Sequence, residues 1–89
     1  LPEKTELLQN YPNPFNPGTV VSCELPVASN VELRVYDVLG REVAVLANGM
    51  LEAGRHEFRF DATGLASGVY VYRLRAGGYN DQKKMVVLR

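Results

Sequence analysis

Val69-Tyr70-Val71-Tyr72-Arg73-Leu74-Arg75-Ala76, residues 69–76, is the stretch whose reading decides the fold. Tyr70, Tyr72 and Leu74 fall on one side of an extended chain, and Val71, Arg73 and Arg75 on the other. Successive side chains of a strand point to opposite faces, so this alternation marks a strand with one buried face. Gly77-Gly78 then opens a hairpin turn, closed by Tyr79-Asn80-Asp81, and Gln82–Leu88 returns as a second strand.

The same period of two recurs upstream. His56, Phe58 and Phe60 share a face opposite Glu57, Arg59 and Asp61. Val31, Leu33 and Val35 alternate with Glu32, Arg34 and Tyr36, and Val21, Cys23 and Leu25 with Val20, Ser22 and Glu24. Glu42–Ala47 reads as a further strand of unassigned register, because Val43, Val45 and Leu46 do not alternate. Between these runs lie turn signals: Pro26, Asp37-Val38-Leu39-Gly40, then Asn48-Gly49 and Ala53-Gly54 before the His56 strand. Asp61–Gly68 is a tight loop or single turn, too short and glycine-rich for a stable helix. Residues 1–19 are loop-like, with Pro12, Pro14 and Pro17 excluding a helix or central strand, although Leu7 and Leu8 suit a short first strand. About seven short strands at this spacing predict an all-β, immunoglobulin-like antiparallel β-sandwich.

Eighty-nine residues suffice for one domain only. Ten basic and ten acidic residues cancel, which argues against nucleic acid, whose binding rests on a basic surface. The charge is unevenly spread: residues 1–50 carry three basic and six acidic groups, and residues 51–89 seven and four. No apolar run exceeds the five residues Val43–Ala47, against the roughly 20 of a helical membrane span. Cys23 is the only cysteine, so no internal disulfide forms and burial alone must hold the domain together. The chain starts at Leu1 without a signal-peptide pattern, as expected of a piece of a longer protein. Residues 1–6 then read as the end of an upstream linker, and 7–89 as the domain.

Catalytic chemistry has little to stand on. His56 has no second histidine beside it, and no CxxC or HExxH pattern supplies zinc ligands. Asp37, Asp61 and Asp81 stand too far apart for a calcium loop. Cys23 shares a face with Val21 and Leu25 and reads as a small buried hydrophobe rather than a nucleophile. No enzyme, metal or cofactor is expected. A polysaccharide-binding module is the alternative, since Tyr11, Phe15, Tyr36 and Tyr79 could stack on sugar rings, and a structural spacer is the third reading.

Four ordered segments carry a resemblance: Gln9-Asn10-Tyr11-Pro12-Asn13-Pro14-Phe15-Asn16-Pro17, Tyr36-Asp37-Val38-Leu39-Gly40-Arg41-Glu42-Val43, Gly64-Leu65-Ala66-Ser67-Gly68-Val69-Tyr70, and Lys83-Lys84-Met85-Val86-Val87-Leu88-Arg89. Together they resemble the C-terminal sorting domain, type A, of proteins exported by the type IX (Por) secretion system of Bacteroidetes-like bacteria. The immunoglobulin-like domain of flagellar hook-capping proteins is similar. The family motif positions are Asn10 to Pro17, Asp37, Gly40, Arg41, Gly68 and Tyr70. Members often carry a larger apolar residue at the place of Cys23 and Trp at that of Phe60; both departures keep an inward-facing hydrophobe.

The resemblance implies a secretion label. Cargo would pass through the periplasm and be delivered by the outer-membrane translocon and its shuttle proteins to the cell surface or beyond. A sortase would commonly remove the module, which is then a substrate and not a catalyst. Lys83, Lys84, Met85, Val86, Val87, Leu88 and Arg89 are the residues expected to be read by the translocon, as an exposed terminal edge strand with two lysine handles. The proline-rich segment from Tyr11 to Pro17 is expected to be a rigid lead into the sandwich, setting a scissile bond before Leu7.

Overall fold

Period-two patterning becomes seven antiparallel strands in the computed structural model, which describes residues 1–89. They are β1 (Glu6–Leu7), β2 (Gly18–Leu25), β3 (Ser29–Tyr36), β4 (Glu42–Leu51), β5 (Gly54–Asp61), β6 (Gly68–Ala76) and β7 (Tyr79–Val87). One sheet has the order β1-β2-β5 and the other β4-β3-β6-β7. This is the expected immunoglobulin-like sandwich, in the arrangement where the fourth strand joins the third rather than the first sheet. No helix is long and apolar enough to cross a membrane.

The core lies between the two sheets. Val21, Cys23 and Leu25 of β2 face Val31, Leu33 and Val35 of β3, all fully buried, together with Tyr72 and Leu74 of β6 and Met85 of β7. Each fully buried Val or Leu removes enough apolar surface from water to contribute about 1.5–3 kcal/mol, which is how the domain dispenses with a disulfide. Cys23 belongs to this cluster, and burial foremost, then the Glu24 carboxylate, pushes its thiol up.

Two local expectations are corrected. β4 does not end at Ala47: it continues through Asn48-Gly49 to Leu51, with Gly49 opposite Val31, so only Glu52-Ala53 connects it to β5. Its refusal to alternate has a physical cause. The register slips between Leu33 and Arg34 and again between Val35 and Tyr36, leaving Leu46 and Val43 as the extra residues of two bulges. Val43, Ala44, Leu46 and Ala47 can therefore all pack against the core. The β6–β7 turn is shorter than expected too. Ala76 pairs with Tyr79, so Gly77-Gly78 is the whole loop, and Gly77 takes φ +58°, which glycine adopts without strain.

Tyr72 ties the irregular N-terminal segment to this frame. Its hydroxyl crosses from β6 to donate to the Leu8 carbonyl at 2.7 Å and accepts from the Asn10 amide at 2.8 Å. Asn10 is buried and donates onward to Pro12 O and Thr19 Oγ1, while Thr19 donates to Pro12 O. Every buried side-chain polar atom in the protein has a partner.

Tyr72→Phe should cost about 2–3 kcal/mol in urea denaturation, since it leaves a buried amide and a part-buried carbonyl without their partner. Burial, opposed by the Asn10 amide and reinforced by the Asp81 charge, pushes the Tyr72 hydroxyl up to about 12. Because the folded value is raised above the ordinary 10.0, its stabilisation is complete below pH 10 and disappears as the pH rises toward 12. Wild-type protein should lose about 2 kcal/mol across that window from this group, and Tyr72→Phe should show a correspondingly shallower alkaline decline.

Candidate functional site

β7 is an edge strand of its sheet, as expected, but half of its outer edge is already taken. Antiparallel pairing with β6 occupies its odd-numbered residues, so the even-numbered ones present backbone groups outward. Asn13 Oδ1 accepts from the Val86 amide at 2.9 Å, Phe15 N donates to the Val86 carbonyl at 3.0 Å, and Leu88 N donates to the Phe15 carbonyl at 2.9 Å. Gln9 Nε2 reaches the Lys84 carbonyl at 2.7 Å. The proline-rich segment is thus a strap laid along the last strand, with the peptide bonds before Pro12, Pro14 and Pro17 all cis. Phe15, paired in parallel with Val87, is buried and meets Phe60 edge-on at 6.1 Å. Proline suits this role because a strap lying outside a ladder has few backbone donors to satisfy.

The other motif segments close around the same pole. Ala62 N donates to the Pro17 carbonyl at 2.9 Å, and Arg89 Nη2 donates to the carbonyls of Ala62 and Leu65. Tyr70 donates to Ala66 O at 2.7 Å and fixes the loop before β6. Between β3 and β4, Asp37 builds a turn from its own carboxylate. Oδ1 accepts from the amides of Leu39 and Arg41, and Oδ2 from Arg41 Nε, each at 2.9 Å. Gly40, at φ +83°, closes it by donating to the Asp37 carbonyl. Val38 and Leu39 at its centre are left 73% and 74% exposed. They overhang a shallow groove of about 280 Å³ whose far wall is Ala66–Tyr70.

The seven expected recognition residues therefore divide. Met85 and Val87 face the core, fully or almost fully buried, and neither is on the surface of the folded domain. Lys83 lies opposite Tyr72 on the inward side of β7 and is half-buried. Lys84, Val86 and Leu88 point outward, and Arg89 is turned back against the 61–68 loop. The edge that was expected to be open is sealed from Lys84 to Leu88, because residues 9–15 supply its missing partners. Toward the hairpin no strap runs, and the Gln82 amide is satisfied by the neighbouring Asp81 side chain.

Other candidates are dispersed. Phe15 is core, Tyr36 lies under Arg73 at 4.7 Å on the outside of the four-stranded sheet, and Tyr79 bonds Leu7 N and Asp81. Tyr11, 81% exposed, pairs with Val20 on the other sheet, so the four aromatics form no common platform. His56 contacts only the Glu52 carbonyl through Nε2 at 2.7 Å, and no group of three metal-ligating side chains exists. Val38 and Leu39 are surface features that the strand alternation does not mark. Their signal was available: turn centres favour polar residues, and two adjacent aliphatics there are anomalous.

The Asp37 turn has a pH signature. The Arg41 amide above all, with the Arg41 guanidinium and the Leu39 amide, holds the Asp37 carboxyl below its ordinary 3.8 against a smaller opposing effect of burial. A depressed folded value means that the stabilisation is present above pH 3.8 and is lost as the pH falls through the folded value. Acidification below about pH 4 should accordingly lower the protection of the Leu39 and Arg41 amides, measured against their intrinsic exchange rates at each pH, before the strands open, and Asp37→Ala should do the same at neutral pH.

Comparison with known proteins agrees with this geometry. The family model described as secretion system C-terminal sorting domain matches residues 9–88, which includes all four converging segments up to Leu88. No curated protein and no solved structure matched. Domains of that family are sorting signals for type IX secretion, whose cargo goes to the cell surface or the extracellular space. This chain belongs to the family of type IX secretion C-terminal sorting domains.

Proposed function

We propose that the domain is read by the outer-membrane type IX translocon and its shuttle proteins at the pole where β7, the strap and the Asp37 turn meet, and that a sortase then removes it from its cargo. The observation that carries this reading is convergence. Segments as far apart in sequence as Asn10–Pro17 and Lys83–Arg89 are bonded to one another, and the Asp37 turn and Ala66–Tyr70 wall the same groove. Packing alone explains Phe15, Val87 and Tyr70. It does not explain why Val38, Leu39, Lys84 and Leu88 gather on the outside of that pole.

Removal of the module needs an accessible bond upstream of the fold. Leu1 is 95% exposed, Glu3 and Lys4 are exposed, and the backbone is first held at β1, where Glu6 pairs with Glu24 and Leu7 N donates to the Tyr79 hydroxyl at 3.3 Å. Cleavage before Glu6 would leave the sandwich intact, with the cargo domain on the N-terminal side of the cut. The cargo reaches the translocon through the periplasm, already folded. The module contributes no reacting group of its own.

Fusion of residues 1–89 behind a signal peptide and a folded reporter, expressed in a bacterium with type IX secretion, tests both parts. The reporter should reach the surface or the medium, remain periplasmic when the translocon is disabled, and end at or before Thr5. A translocon-dependent reporter whose C-terminus lies inside the sandwich would contradict the cleavage assignment. Periplasmic retention of a folded fusion would contradict the sorting role itself.

A further inference from the structure

We infer that the domain docks through an apolar strip on the outside of the four-stranded sheet, formed by Val38, Leu39, Val69, Val86 and Leu88, onto a protein surface that is apolar at its centre and acidic at its rim. This deepens the proposed function and rests on it: the occupant is the component of the secretion machinery that reads the domain.

The strip is continuous. Val38, Leu39 and Val69 line one groove, Val69 lies directly opposite Val86 across the β6–β7 ladder, and Leu88 is the next outward-facing residue after Val86. Exposure is high for aliphatic side chains, at 40% for Val69 and 53% for Leu88, beside the two turn residues above 70%. The presentation is built, not incidental. Asp37 spends both carboxylate oxygens, its amide and its carbonyl on holding the turn whose two central residues are these aliphatics. Contiguous exposed apolar surface framed by polar residues marks interaction sites, whereas scattered single hydrophobes do not.

Charge identifies the occupant. The carboxylates on this outer face are already engaged by cations of the domain: Glu32 and Glu42 share Arg34 at 3.3 and 2.8 Å, and Asp37 pairs with Arg41 at 2.9 Å. Arg73 and Lys84 have no carboxylate within salt-bridge distance, although Lys84 is exposed and Arg73 partly so. The excess of base over acid after residue 50 is thereby concentrated, in part, beside the strip. An apolar partner surface rimmed by Asp or Glu would bury the aliphatics and pair the free cations, which is the arrangement that fixes orientation as well as affinity.

Four forms of the reporter fusion test this in the type IX host: wild type, Val38→Ser with Leu39→Ser, Arg73→Glu with Lys84→Glu, and Val27→Ser with Met50→Ser. The last pair matches the first in exposure, at 63% and 68%, but lies off the strip. The two serine pairs should share the wild-type urea midpoint, because exposed positions contribute little to stability, and the glutamate pair should unfold at a slightly lower midpoint, because it gives up the stacking of Arg73 on Tyr36. Export of the two strip variants should fall at least about tenfold, and that of the Val27/Met50 control should stay within about twofold of wild type. Wild-type export with undiminished export of both strip variants would overturn the docking surface while leaving the sorting role standing. Failure of the wild type would strike the sorting role instead. Two side measurements guard the choice of occupant. Co-sedimentation with anionic phosphatidylglycerol vesicles, or dimerisation in sedimentation velocity, abolished by the strip substitutions, would assign the strip to lipid or to a second copy and overturn the proposal.

Discussion

The outer edge of the last strand is the constraint on which the rest of the structure depends. An edge strand exposes unpaired amides and carbonyls, a standing invitation to another chain. Here the protein closes that edge from within. The Val86 carbonyl and the Leu88 amide bond to the backbone of Phe15, the Val86 amide to the Asn13 side chain, and the Lys84 carbonyl to Gln9. A segment near one end of the sequence thereby completes the strand at the other. Phe15 can do this because its ring is buried against Phe60 and the rest of the core, so hydrophobic burial and backbone pairing hold the strap in one place.

That closure explains why the proline-rich segment is ordered although it makes no regular strand. Tyr72 anchors its start through the Leu8 carbonyl and the Asn10 amide, Asn10 and Thr19 brace its first turn, and Pro17 is held at its end by the Ala62 amide. The final residues are secured in return, with Arg89 bonded to the 61–68 loop. Surface features at this pole inherit the rigidity. Val38, Leu39, Lys84 and Leu88 are side chains on a fixed frame, which lowers the ordering cost of binding a partner.

Much of the fold was legible because burial on one face writes a period of two into a strand. β2, β3, β5 and β6 follow it, and their inward residues are those that the alternation named. β4 was not legible because two bulges let neighbouring residues face the core together, which erases the period. Asn48-Gly49 misled for a related reason: Gly49 sits in the ladder opposite Val31, and tertiary pairing overrides a local turn signal. The strap was invisible in kind. Two of its four bonds to residues 84–88 join backbone to backbone at Phe15, and the other two end on backbone atoms of that stretch; backbone pairing leaves no mark on residue type. For the site, the four motif segments could be read in sequence, but not that Met85 and Val87 are core residues while Val38 and Leu39 are surface. That division depends on which way β7 faces and on what Asp37 holds outward.

Amide hydrogen exchange at Val86 and Leu88 tests the closure of β7 most directly. Both amides point away from β6, so nothing but Asn13 and Phe15 protects them. The account predicts that they exchange as slowly as the amides of the β6–β7 ladder, and that Phe15→Ala releases these two before the ladder opens. Rapid exchange at Val86 and Leu88 in the wild-type protein, with the ladder still protected, would contradict it and leave β7 an open edge.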